Sequence, residues 1–109
     1  MARNRGERRA AWWYRARGYR VLGSNLWSGR YELDLVVRRG TTVVFCEVKS
    51  KSGDAFGDPL EMVTPEKAWR VRRAAEAWLA THPEYARLEA RFDVVAVRPR
   101  RVECVRAAF

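Results

Sequence analysis

The segment from Arg30 to Lys51, RYELDLVVRRGTTVVFCEVKSK, admits few folds. Apolar and polar residues alternate over two runs that meet at Arg39-Gly40, the pattern of two strands joined by a tight turn. Acidic residues stand where a half-buried hairpin normally carries Val or Thr. In an extended strand residues two apart share a face, so Glu32 and Asp34 are expected to point one way, as are Glu47 and Lys49. With Arg39-Gly40 as a two-residue loop, Arg38 pairs with Thr41, Asp34 lies opposite Phe45 and diagonal to Glu47, and Glu32 faces Glu47. A slip of one residue separates these groups. A slip of two, through a bulge, keeps them together and sets Asp34 directly against Glu47.

Carboxylates facing one another across a hairpin repel, and like charges directly opposite destabilise a sheet. A divalent cation is the simplest compensator. Mg2+ takes hard oxygen ligands, keeps several of its waters, and is typically held by one or two carboxylates plus substrate phosphates. Lys49 adds an ammonium on the face of Glu47 that can position or deprotonate an attacking water. The plain alternative is a set of exposed charges on the solvated face of an edge hairpin. That suits a lone carboxylate better than an Asp followed one strand later by E-x-K between hydrophobic runs.

A chain of 109 residues makes one domain, here residues 1–109, with a single core. A hydrophobic fraction of 48% and five Trp indicate a packed globule rather than a disordered tail. The 22 basic residues against 13 acidic ones give +9, and 19 of the 22 are Arg. Arg presents a planar fork that matches phosphate oxygens in pairs, so this balance points to nucleic acid before a membrane. Arg replacing Lys in a high-GC or heat-adapted proteome is the competing explanation. No apolar run approaches the ~18 residues of a membrane span, and MARNRGERR is followed by no signal-peptide core, which predicts a cytoplasmic protein. Cys46, on the face opposite Glu47, reads as a small buried hydrophobe. With Cys104 and a single His it makes neither a disulfide framework nor a zinc site.

In chain order, Arg3 to Arg17 reads as a helix, with Ala10, Trp13, Tyr14 and Arg17 at helical spacing and Gly18 as its stop. Glu7 lies on the stripe of Ala10, Ala11 and Tyr14, which makes it a candidate fourth acidic contributor or else the partner of Arg3, Arg8 or Arg15. Tyr19 to Leu22 is a short strand and Gly23 to Gly29 a loop. After the hairpin, Ser50 to Pro59 is a loop leaving the proposed site, where Lys51 could touch phosphate and Phe56 could stack. Thr64 caps a helix that begins at Pro65 and runs to about Thr81, with Ala68, Val71, Ala75, Trp78 and Leu79 as its apolar stripe. Lys67, in its first turn, can point back to the site, and Lys51, Lys67 and Arg70 are the candidate phosphate contacts. His82 ends the helix, a place for capping or solvent exposure rather than catalysis. Tyr85 to Ala90 is a loop or helical turn, Phe92 to Val97 a strand buried on both faces, and Val102 to Val105 its partner. The order predicts an α/β sandwich around one mixed sheet.

Asp34, then a turn, then Glu47-Val48-Lys49 resembles the D…(D/E)xK signature of the restriction-endonuclease-like superfamily, whose fold is an αβββαβ core with helices flanking a central mixed sheet. More closely, the whole chain resembles the YraN-like family of small, basic bacterial proteins predicted to be nucleases. The matching segments are Gly6-Glu7, Gly18-Tyr19, Asn25, Glu32 to Val36, Val44 to Lys49, Lys67, Arg91 to Val95, Val102-Glu103 and Ala108-Phe109. The chain departs from the family where a Gly usually precedes the first acidic pair, here Tyr31, and where an Arg often stands, here Lys51.

The resemblance implies a metal-dependent endonuclease, with a pattern similar to archaeal Holliday junction resolvases, which act as homodimers on branched DNA. It implies that Asp34 and Glu47 bind Mg2+ or Mn2+ with the Val48 carbonyl as a further ligand, that Lys49 orients or activates water, and that Glu7 completes the acidic cluster. Glu32 then supports the ligands from behind. Physics alone asks for the same parts: hydrolysis of an anionic phosphodiester needs charge neutralisation, an activated water and a stabilised leaving oxygen. No segment reads as a base-recognising helix, so structure-selective or nonspecific cleavage is expected. Two other classes remain open. One is a nucleic-acid-binding module that keeps the fold and metal site without cutting. The other is an interaction protein built on Trp12, Trp27 and Trp69.

Overall fold

The structure, a computed structural model, describes residues 2–50 and 63–109, with side chains from Arg5 onward. Helix α1 (Ala2–Arg15) is followed by strands β1 (Arg20–Ser28), β2 (Tyr31–Arg39) and β3 (Thr42–Ser50), then helix α2 (Pro65–Thr81), a 3-10 turn (Pro83–Tyr85), and strands β4 (Glu89–Val97) and β5 (Val102–Val105). The strands form one sheet in the order β1-β2-β3-β4-β5. Every neighbouring pair is antiparallel except β3 with β4, which run parallel from Thr42↔Glu89 to Ser50↔Val97. Parallel neighbours need a long crossover, and the segment containing α2 supplies it.

The helices cover opposite faces. Ala10, Ala11 and Tyr14 of α1 pack on Leu35, Val37, Val44, Cys46, Val95 and Val97, while Val71, Ala74, Ala75 and Trp78 of α2 pack on Leu33, Val36, Val43 and Phe45. The central strands are therefore apolar on both sides, which explains the uninterrupted runs in β3 and β4. The α2 boundaries follow the caps: Thr64 Oγ1 accepts the Lys67 N–H at 3.1 Å, and Pro65 fills the first helical position. At the other end His82 donates its backbone N–H to Leu79 O at 3.2 Å, and its ring stacks on Trp78 with centroids 4.0 Å apart, as its capping position led one to expect. Both cysteines are free thiols. Among the described residues no helix is long and apolar enough to cross a membrane.

Behind α1 lies a buried polar hub. The Tyr14 hydroxyl donates to Asp93 at 2.7 Å, and Asp93, fully buried, also accepts from Arg91 Nε at 2.9 Å and from the Ala107 N–H at 3.0 Å. Burial pushes the Tyr14 hydroxyl far above its usual range, so it remains a donor. This hub ties α1, β4 and the C-terminal segment together.

Two expectations about the strands are corrected. Gly23 to Gly29 is not a loop: β1 continues through it to Ser28, paired with β2 to Ser28↔Tyr31. The polar, glycine-bearing sequence reads as a loop because the strand is irregular. A bulge lies between the Val21↔Val37 and Gly23↔Val36 pairs, and Asn25 sits at φ +51°. The β2–β3 loop is Gly40-Thr41, not Arg39-Gly40, because Arg39 pairs with Thr42 and Val36 with Phe45. Gly40 alone carries positive φ, +59°, as a glycine-first hairpin turn requires. Moving the loop by one residue shifts the register by two, and no bulge is needed.

Candidate active site

The β2–β3 pairing runs from Arg39↔Thr42 to Leu35↔Cys46, and one further step in that register brings Asp34 level with Glu47 rather than Phe45. The ladder opens there. Asp34 Oδ2 accepts the backbone N–H of Val48 at 2.9 Å, so a side chain replaces the strand partner at the fork. On the other edge of β2, Asn25 falls between the Ser24↔Leu35 and Leu26↔Leu33 pairs, at the level of Asp34. Leu33 packs on the α2 side and Leu35 on the α1 side, so the two-residue alternation is interrupted at Asp34. Glu32 therefore does not share a simple strand face with Asp34, and its neighbour across the sheet is Trp27 instead of Glu47.

At this opening lies a cavity of about 610 Å3 that gathers residues from both helices and three strands. Glu32, Asp34, Glu47, Val48 and Lys49 line it, joined by Glu7 from α1 and by Lys67 and Arg70 from α2. Glu7 is buried, at 7% exposure, on the helix stripe that contacts the sheet. Lys49 Nζ stands 3.6 Å from Glu47 Oε2, so these two share a side as the strand period requires. Arg70 also pairs with Glu66 one helical turn back. Every proposed site residue among the described ones thus meets at this cavity. Lys51 and Phe56 lie outside the described residues.

The electrostatics follow from the crowding. Burial, and then the Glu47 carboxylate, push Asp34 from an ordinary 3.8 to about 7, with Glu7 and Glu32 adding to the rise and the Val48 N–H opposing it. The Glu47 and Asp34 carboxylates hold the Lys49 ammonium above the usual lysine range against the pull of burial, whereas the neighbouring Lys67 ammonium, a donor only, cannot accept its proton. Among the described residues no three acidic, His or Cys side chains already form a closed metal cage. A fully formed cage is not what Mg2+ uses, since one or two carboxylates with water and phosphate suffice. Asp34 and Glu47 fit that role chemically: they line one cavity, and Asp34, raised by burial and then by its acidic neighbours, is a carboxylate that a cation would return to its ionised form.

Trp27, Arg30, Tyr31, Ser50 and Val71, none of them among the site residues named from the sequence, also line the cavity. Tyr31 lies edge-on to Trp69 with centroids 5.7 Å apart. Trp27 was hidden by reading Gly23 to Gly29 as a loop, since only the β1–β2 pairing brings it level with Glu32.

The chain matches the model of the Uncharacterised protein family UPF0102 over residues 6–97. It is 47% identical to a UPF0102 protein of Frankia alni over 95% of this chain and 90% of the relative. It is 52% identical to one of Beutenbergia cavernae over 84% of this chain and 77% of the relative. A UPF0102 protein of Acidothermus cellulolyticus is 42% identical over 95% of this chain and 89% of the relative. The matched stretch contains Glu7, Glu32, Asp34, Glu47 and Lys49. The chain belongs to the UPF0102 family, the YraN-like family its sequence resembles.

Proposed function

We propose that this protein is a metal-dependent endonuclease of the restriction-endonuclease-like superfamily, hydrolysing DNA phosphodiesters in the cytoplasm with structural rather than sequence selectivity, as the resolvase-like pattern suggests. The observation that carries the reading is the opening of the β2–β3 ladder beside Leu35↔Cys46, which leaves Asp34 level with Glu47 and Lys49 beside Glu47 in one cavity.

Asp34 and Glu47 are the residues that would hold Mg2+ or Mn2+, with the Val48 backbone at the same place in the cavity wall. When bound, the cation supplies charge neutralisation at the phosphoryl group and a more acidic water. Asp34 is kept in position by the Val48 amide. Lys49, fixed beside Glu47, offers a hydrogen-bond donor to the attacking water or to the negative charge that builds on the phosphoryl oxygens. Glu7 and Glu32 raise the negative potential around Asp34 and so strengthen its preference for a cation over solvent. Lys67 and Arg70 present cations that attract the phosphate backbone and give salt-dependent affinity.

Cleavage of a four-way junction, flap, single strand, duplex and RNA, with Mg2+ or Mn2+, tests this against identically prepared Asp34→Ala and Glu47→Ala proteins. Cleavage abolished by both substitutions supports the reading. Salt-sensitive binding with no cutting under either metal would replace it with a non-catalytic binding module. Sedimentation in the presence of the preferred substrate tests the homodimer that the resolvase pattern implies.

A further inference from the structure

We propose that Trp27 is a base-stacking platform, so that the nucleic acid taken into this cavity carries unpaired nucleotides beside the phosphate presented to Asp34 and Glu47. This rests on the nuclease reading and narrows its substrate. Trp27 is 69% exposed although it lies within a strand and lines the acidic cavity. Its partner across the β1–β2 ladder is Glu32, and the next pair, Ser28↔Tyr31, points to the opposite face. The hairpin tip therefore carries Trp27 on one lip and Tyr31, edge-on to Trp69, on the other, with Arg30 between them in the turn.

A single exposed apolar side chain is ordinary, but Trp27 lines one cavity with Tyr31, which in turn contacts the half-exposed Trp69. Here the neighbours are carboxylates suited to a cation and cations suited to phosphate, so the ligand that satisfies all three is an anionic backbone bearing flat apolar rings. Nucleic acid has that composition. Within an uninterrupted duplex both faces of each base are already stacked, and an indole can engage only a base that is unpaired or terminal. A protein partner would place Trp27 against apolar side chains and leave the adjacent acidic and basic groups to be desolvated, which is costly. Trp12, 68% exposed on α1, does not line the cavity and serves as the comparison.

The test is equilibrium binding in EDTA, at one fixed salt concentration, of fluorescent DNA probes of equal length: a single strand, a paired duplex, and a strand with its bases removed. The full chain is compared with Trp27→Ala, Trp27→Phe and Trp12→Ala. The parent is expected to bind the single strand about tenfold more tightly than the duplex or the baseless strand, a factor within the range of one stacked base. Trp27→Ala should lose that preference, Trp27→Phe should recover most of it, and Trp12→Ala should keep it. Equal affinity of the parent for strand and duplex would overturn the proposal while leaving the nuclease reading intact, as would an equal loss on both probes in Trp27→Ala. Conversion of an oligomer to a monomer by Trp27→Ala would instead assign the indole to a protein interface. If the parent binds no probe in EDTA or with Ca2+, a divalent oxygen-binding cation, in its place, the nucleic-acid reading falls and the proposal with it.

Discussion

Asp34 accepts the Val48 amide hydrogen at 2.9 Å, one residue past the last β2–β3 rung, Leu35 with Cys46. The hydrogen bond ties the forked strand ends together, yet the carboxylate that makes it is half-buried beside Glu47, and those two effects oppose each other. The balance lies with burial and repulsion, which carry Asp34 from 3.8 to about 7. The folded protein therefore binds this proton more tightly than the unfolded chain does. Its contribution to stability is complete below pH 3.8 and is lost as pH rises toward about 7. Asp34→Asn keeps an acceptor for Val48 without the charge. In thermal melts in EDTA its midpoint should exceed that of the parent by about 4 °C or more at pH 8, and the two should converge in acid. A lower midpoint for Asp34→Asn at pH 8 would contradict this account.

Under the proposed metal role, a cation and a proton would compete for the same Asp34 oxygens. Stabilisation by millimolar Mg2+ or Mn2+ should therefore be larger at pH 8 than at pH 6 in the parent, and binding should release protons. Asp34→Asn and Glu47→Gln should each lose most of this gain, about 1.4 kcal/mol for every tenfold of metal above the dissociation constant. Melts across a metal titration at the two pH values read it directly. Equal gains in the parent and both variants would assign the metal elsewhere.

These two predictions depend on a register that the sequence left between alternatives. The strand period and the hydrophobic runs made the hairpin legible, and the pairing of Glu47 with Lys49 on one side needed only that period. The turn was misread by one residue because Arg39-Gly40 and Gly40-Thr41 both offer glycine. Only the pairing distinguishes a glycine in the first loop position from one in the second. Glu7 was legible as a member of the buried helix stripe. The face change at Asp34 was not, because it coincides with Asn25 at φ +51° on the neighbouring strand, and nothing in the sequence of β2 records it. The same irregularity concealed β1, and with it Trp27.

The roles proposed for Lys49 and for the carboxylates can be separated by substitution. Removing the ammonium leaves Asp34 and Glu47 in place, so Lys49→Met should retain the metal-dependent rise in melting temperature. Its cleavage rate under saturating metal should fall by about 10²–10⁴-fold, the usual contribution of a positioned proton-transfer or charge-stabilising group. Loss of metal-linked stabilisation in Lys49→Met would mean that the residue organises the site and does not act on the substrate.

Asp93 holds the scaffold behind the site. It is fully buried and accepts hydrogen bonds from Tyr14, Arg91 and the Ala107 amide. Asp93→Ala would leave Arg91 and these donors without their acceptor, and chemical denaturation should show a loss of about 3–5 kcal/mol. Tyr14→Phe removes one donor and keeps the ring, so about 1–2 kcal/mol is expected. Because Tyr14 and Glu7 stand two helical turns apart on the same stripe, Tyr14→Phe tests whether the seating of α1 matters to the cavity. Its metal-linked stabilisation should weaken along with its stability.

The cations of α2 differ in what they can give to a phosphate. Arg70 is paired with Glu66, and Lys67 stands in the first turn near Lys49, lining the same cavity. A side chain that neutralises one phosphate contributes about 0.9 to the slope of log affinity against log salt. Lys67→Ala should reduce the slope by about that amount. Arg70→Ala should reduce it by less, since Glu66 already neutralises part of the charge that Arg70 would offer the backbone. Glu66→Gln should strengthen binding for the same reason. Fluorescence titrations at several salt concentrations measure all three slopes, and equal reductions for Lys67→Ala and Arg70→Ala would show that the Glu66 pair does not persist in the complex.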